Sequence, residues 1–105
     1  MSATPQHGQV FRCDLGYGLK QPWLVVSNNA RNRLLSDVIA VRLTSAMRDL
    51  PTWVKLAPAD PLAGYANCDC IEQLGKDELG EYLGALSPES MGSVNHALAI
   101  AIALA

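Results

Sequence analysis

The stretch Val38-Ile39-Ala40-Val41-Arg42-Leu43-Thr44 decides the fold class. Ile39, Val41 and Leu43 form an unbroken apolar row at the two-residue spacing of a strand, and Val38, Ala40, Arg42 and Thr44 form the other face. Such a strand needs partners, and the chain supplies them on both sides. Upstream, residues 23–26 are a short, β-branched apolar run, the pattern of a central strand. Before it, residues 9–15 alternate, with Phe11, Cys13 and Leu15 on one face and Val10, Arg12 and Asp14 on the other. Downstream, residues 52–56 and 65–71 read as strands, and Tyr82-Leu83 as a brief one before Gly84. Helical signals are fewer. Ser27-Asn28-Asn29 is cap chemistry ahead of a short helix over 30–35, and residues 76–79 read as one helical turn. Ser87-Pro88-Glu89 opens a final helix, with Met91, Val94, Leu98 and Ala101 or Ile102 at helical spacing. Loops are expected over 16–22 and 44–49, and a turn region over 58–64. The fold class is therefore α+β, mainly β, with a C-terminal helix.

With 105 residues, half of them apolar, the chain fits a flexible arm over 1–8 and a single domain over 9–105. A domain this short buries a modest fraction of its surface, so oligomerisation is a natural further source of stability. Residues 97–105 carry no polar side chain and must dock on their own core or on another subunit. No apolar run approaches the roughly 20 residues of a membrane span, and the first ten residues lack a signal-type apolar core. A cytoplasmic protein with no membrane partner is expected. Cys68 and Cys70 have the same-face spacing of a strand, and no histidine lies near them in sequence. With Cys13 they read as buried, reduced thiols, a redox or metal role being the alternative. Net charge is −2, but residues 1–55 carry seven basic and three acidic side chains, while residues 56–105 carry one basic and seven acidic. That asymmetry suits a polyanion on one face, unless folding interleaves the two halves.

An ordered set of motifs runs along the chain: Gly8-Gln9-Val10, then Cys13-Asp14-Leu15, then an apolar strand from Pro22 closing on Ser27-Asn28-Asn29. An apolar strand ending in Thr44-Ser45, the pair Cys68-Asp69, and Leu83-Gly84-Ala85-Leu86-Ser87-Pro88-Glu89-Ser90-Met91 follow. In this order the motifs resemble the MazF/PemK toxins over roughly residues 8–104, most closely the actinobacterial branch with a short Gly-Tyr-Gly loop. The resemblance implies an SH3-like small barrel of the MazF/PemK/CcdB type and a homodimer. It also implies the toxin of a type II toxin–antitoxin system, blocked by a MazE-like antitoxin. The implied activity is an endoribonuclease that cleaves single-stranded RNA at a defined sequence (mRNA, with tRNA or rRNA as alternatives), without metal or other cofactor.

Such cleavage uses the RNA's own 2′-hydroxyl, and needs a cation, a hydrogen-bonding hydroxyl or amide, and a proton carrier. The family's usual cation is an arginine just before the proline of the second strand. Here Gln21 holds that position, with Lys20 beside it. Either Lys20 takes the role through a shifted loop, or the charge comes from elsewhere, or activity is weak. Thr44 matches the family's catalytic threonine, and Arg42, two residues earlier, shares its face. Arg42 would set a guanidinium fork beside that hydroxyl; the alternative is a strand arginine paired with Asp14 or Asp37. Asp69 resembles the general base of some members, or else fixes a loop. For RNA binding, Tyr17 is a stacking candidate, and Trp53 is available too; Trp23 lies in an apolar run and reads as core. Asn28, Asn29 and Arg31 could contact base edges or cap a helix, and Ser45 and Arg48 complete the RNA-binding set. Arg31, Arg42 and Arg48 would line a groove for an acidic antitoxin tail. His7 and His96 match no family motif. A second reading, favoured by Gln21, is a catalytically weakened dimeric binding module that holds RNA, antitoxin or a protein such as gyrase.

Overall fold

The computed structural model of the protein describes residues 4–16 and 18–105. Six strands, β1 (Gln9–Asp14), β2 (Lys20–Val25), β3 (Asp37–Thr44), β4 (Trp53–Lys55), β5 (Tyr65–Gly75) and β6 (Tyr82–Ala85), form one sheet. Helix α1 (Asn29–Leu34) links β2 to β3, a 3-10 turn (Lys76–Glu78) follows β5, and α2 (Pro88–Ala101) comes last. The order is β4-β5-β3-β2-β1-β6, antiparallel throughout. β3 lies between β2 and β5, as its doubly apolar sequence requires: Val38, Ala40, Val41 and Leu43 are almost fully buried. The two end strands are not paired with each other, so the sheet is an open, curled half-barrel.

The sheet has a core on each face. Under α2, Val10, Leu24, Val41, Leu43, Met91 and Val94 pack together. On the opposite face Cys13, Trp23, Val25, Val38 and Leu74 form a second cluster, with Leu79 packed against it. Two register shifts bend the sheet. One separates Val10 from Phe11 in the β1–β6 ladder. The other falls in the β3–β5 ladder, where Val41 pairs with Ile71 but Arg42 with Asn67, leaving residues 68–70 as a bulge. That bulge corrects the expectation that Cys68 and Cys70 share a face. Cys68 is buried in the α2-side cluster, and Cys70 packs against the other one. Two-residue periodicity holds only while the ladder is regular.

β2 and β5 are longer than their apolar runs. Polar Lys20 and Gln21 were expected in a loop, yet they pair with Asp14 and Cys13. Glu72 and Gln73 pair with Ala40 and Ile39 beyond the expected end at Ile71. The ladder holds these residues through backbone bonds, which composition does not report. The two halves of the chain also interleave, since β5 from the acidic half lies between β3 and β4 of the basic half.

Local polar bonds lock the connections. Asn28 caps α1 by accepting from the Arg31 amide at 2.8 Å. Asn32, with no exposed surface, donates to the Ser27 carbonyl at 3.0 Å and accepts from the Ser27 hydroxyl at 2.5 Å. The same hydroxyl accepts from the Ile39 amide at 3.0 Å, so α1, β3 and the link after β2 meet in one buried polar knot. Over its described residues, 4–8, the expected arm is stitched to the sheet. The His7 amide donates to Asn29 Oδ1 at 2.7 Å, Gly8 donates to the Val25 carbonyl at 2.8 Å, and Leu86 donates to the Gly8 carbonyl at 3.0 Å.

Ser87 caps α2 with Pro88 in its first turn, and Met91, Val94 and Ala97 bury its inner face. Asp60, on the turn before β5, braces that helix start. It accepts from the amides of Ser87 (2.8 Å) and Ala57 (2.7 Å) and from the Ser90 hydroxyl (2.5 Å). Burial alone would raise its pKa; the bonds from Ser87, Ser90 and Ala57 outweigh that and hold the carboxyl below its ordinary value. The apolar tail is only partly docked: Leu98 packs on the core, while Ile102 and Leu104 are exposed. No helix among the described residues is long and apolar enough to cross a membrane.

Candidate functional site

Arg42 and Thr44 stand on one face at the C-terminal end of β3. Trp23 of β2 lies directly across from Arg42, and Gln21, two residues before it, points to the same side. The Arg42 Nη2 donates to Gln21 Oε1 at 3.0 Å. The expected alternative, an arginine paired with Asp14 or Asp37, is not what forms: Asp14 accepts from the Gly16 amide, and Asp37 is bound by Arg31 at 2.7 Å. Among the described residues Arg42 has no ion-pair partner, and its Nε is buried with no hydrogen-bond partner. Thr44 Oγ1 accepts from the Ala46 amide at 3.1 Å, which leaves its own proton free to donate.

These side chains open onto a cleft of about 450 Å³. Its polar lining is Arg12, Lys20, Gln21, Arg42, Thr44 and Ser45, and Pro22, Leu43, Leu62 and Ala63 supply the apolar part. Among the described residues, three cations and no carboxylate line it. Arg42 is donor-only, so Gln21 must present its carbonyl oxygen to it and turn its amide NH2 elsewhere. The cleft is thus dominated by hydrogen-bond donors and positive charge, matched to a phosphodiester. Arg12 is a member that sequence reasoning missed. Its partner Glu81 is 3.5 Å away and both are solvent-exposed, a pairing worth little. Its place on the polar face of β1, opposite Pro22, was the available signal.

The turn over 58–64 backs the end of β3. Gly64 has φ +125°, and a Cβ there would overlap the Thr44 carbonyl oxygen. Only glycine lets the turn lie this close to the strand. A second cleft of about 360 Å³ adjoins the first, shares Arg12 and Lys20, and is acidic on its far side through Asp77, Glu78 and Glu81.

The remaining candidates lie elsewhere. Asp69 sits in the β5 bulge, where it accepts from the Thr52 hydroxyl at 2.6 Å, and it is not among the residues lining the cleft. Asn28 and Asn29 are engaged in the cap and with His7. Arg31 binds Asp37, whose carboxyl it holds below the ordinary range, helped by Gln73. Asp37 and Arg42 are five residues apart on one strand, roughly 16 Å, and Arg31 is not among the described residues that line the cleft with Arg42. The Arg48 guanidinium lies over the Trp53 ring, 5.7 Å from its centre. Trp23 is buried in the core, as its apolar setting suggested. The Tyr17 stacking expectation falls outside the described residues. All three thiols are free, and burial raises their pKa values, that of Cys68 to about 11, which favours the protonated thiol over the thiolate.

The family model for the PemK-like, MazF-like toxin of type II toxin-antitoxin systems matches residues 6–102. The chain belongs to the PemK/MazF toxin family. It is 63% identical over 101 residues to endoribonuclease MazF4 of Mycobacterium tuberculosis, covering 96% of this chain and 95% of that protein. Endoribonuclease MazF1 of Mycobacterium bovis matches equally. Among solved structures, a mycobacterial endoribonuclease in complex with its cognate antitoxin superposes with a TM-score of 0.93 at 61% identity, covering 96% of this chain and 97% of that one. Within the PemK/MazF family, the donor cleft of this chain lies at the β2–β3 seam, where Thr44 and residues 20–21 meet.

Proposed function

We propose that this chain cleaves single-stranded RNA at the Lys20–Gln21–Arg42–Thr44 cleft, by attack of a 2′-hydroxyl on the adjacent phosphorus. It is a MazF-type endoribonuclease of a toxin–antitoxin system: the relatives that match almost its entire length at 63% identity carry that name. The observation that carries the site reading is Arg42, a guanidinium with no carboxylate partner among the described residues, on the same strand face as a threonine hydroxyl whose proton is free. In the reaction the 2′-oxygen bonds to phosphorus as its proton passes to solvent water, and the bond from phosphorus to the 5′-oxygen breaks. The products are a 2′,3′-cyclic phosphate and a 5′-hydroxyl. Arg42 and Thr44 donate to the non-bridging oxygens as charge builds there. Lys20, the lining cation with a readily transferable proton, protonates the 5′-oxygen, which arginine does poorly. Arg12 and Ser45 hold the flanking backbone.

The toxin works as a homodimer in the cytoplasm and is held by a MazE-like antitoxin. Exposed Leu34, Met47, Ile102 and Leu104 are apolar surface for these contacts. The test is incubation of purified protein with a long unstructured RNA in excess EDTA, followed by mapping of the ends. Cuts at one short sequence that leave a 5′-hydroxyl are expected. No cleavage by folded protein would overturn the reading in favour of the binding module.

A further inference from the structure

We infer that Gln21 is a positioning residue, which holds the Arg42 guanidinium in its phosphate-facing orientation without cancelling its charge. The inference rests on the reading of Arg42 as the cation of the cleft. Arginine has four rotatable side-chain torsions, and a guanidinium that must meet phosphoryl oxygens gains from being fixed beforehand. On most strands a carboxylate would do the fixing. Here Arg42 lacks one among the described residues, and its hydrogen-bond partner is the neutral Gln21 Oε1 at 3.0 Å. A glutamate at 21 would accept the same bond but offset the positive charge, and a lysine or arginine would repel the guanidinium. A glutamine supplies an acceptor and nothing else. The strand geometry makes the hold stiff: Gln21 is paired to Cys13 of β1, and Arg42 to Trp23 of β2 and Asn67 of β5, so both ends of the contact are on hydrogen-bonded sheet.

The test is a kinetic cycle in the full-length toxin with Gln21→Met, Arg42→Ala and the double variant, on one oligoribonucleotide carrying the mapped cleavage site. Gln21→Met keeps the length of the side chain and removes the acceptor. It should lower kcat about tenfold, the scale of one hydrogen bond to a charged group, with KM little changed. In the Arg42→Ala background the same substitution should change nothing further. A second readout needs no activity: the guanidinium N–H signals of Arg42 in the nitrogen-15 spectrum should be those of a restrained group in the parent and of a freely rotating one in Gln21→Met. Effects of the two substitutions that multiply, or a Gln21→Met protein at the parent rate with an unchanged Arg42 signal, would overturn the inference while leaving Arg42 in its role. An Arg42→Ala protein that cleaves at the parent rate would remove the reading beneath it.

Discussion

Replacing Gly64 by alanine perturbs the site from behind. Gly64 holds φ at +125°, a conformation that costs other residues about 1–3 kcal/mol. The added Cβ would also overlap the Thr44 carbonyl oxygen and lie 3.3 Å from the Ser45 Cα. To reach ordinary contact distance the end of β3 must retreat by roughly 1 Å. Overpacking of this kind costs a further 1–3 kcal/mol or so. If relaxation halves the sum, about 2 kcal/mol of stability is lost, and a domain of this size should melt roughly 8–16 °C lower. The kinetic consequence is separate. A displacement of about 1 Å at Thr44 can cost as much as 100-fold in rate, so kcat should fall well beyond what the folded fraction explains. Thermal unfolding followed by circular dichroism, with cleavage assayed 20 °C below each midpoint, separates the two effects. A variant that melts lower but cleaves normally would refute the idea that this turn fixes Thr44. A variant normal in both would refute the steric argument itself.

Other outcomes follow from single contacts. Thr44→Val keeps the shape but loses both the free donor and the bond from the Ala46 amide, and should lower kcat by about 100-fold with the midpoint of unfolding down by no more than about 8 °C. Asn32→Ala breaks the buried knot with Ser27 and should cost about 2–3 kcal/mol in urea denaturation. Asp60→Asn should destabilise at neutral pH. Because the folded pKa of Asp60 lies below its unfolded value, its contribution is present above the unfolded value and fades as pH falls through the folded one. The gap in stability between parent and variant should therefore narrow below about pH 4; a gap that is constant with pH would show that the charge is not what braces α2.

What was legible in the sequence was whatever had a period or a cap. The alternation at 38–44 carried both faces of β3, and Ser87-Pro88 placed α2. Lys20 and Gln21 were missed as strand because ladder pairing with β1 leaves no mark on hydropathy. The two thiols of β5 were put on one face because a bulge shifts the phase of a strand without changing its composition. At the site, the shared face of Arg42 and Thr44 was readable from spacing. The bond from Arg42 to Gln21 was not, since it joins residues 21 apart whose juxtaposition depends on the β2–β3 register. Asp60 falls in the turn region over 58–64, and its grip on Ser87 and Ser90, which spans 27 and 30 residues, leaves no local signal. Arg12 was hidden in plain alternation.

The guanidinium at the centre of the cleft is carried by an interior strand, with β2 on one side and β5 on the other. A cation mounted on the loop between β1 and β2 would tie that loop's length and sequence to catalysis, since any insertion would move the charge. Mounted on β3, it leaves the loop after Asp14 at liberty to lengthen, shorten or exchange residues. On the proposed reading of Arg42, residues between Asp14 and Lys20 can vary while the cation proposed to meet the phosphate stays in place, so that loop and charge can change along separate stretches of the chain.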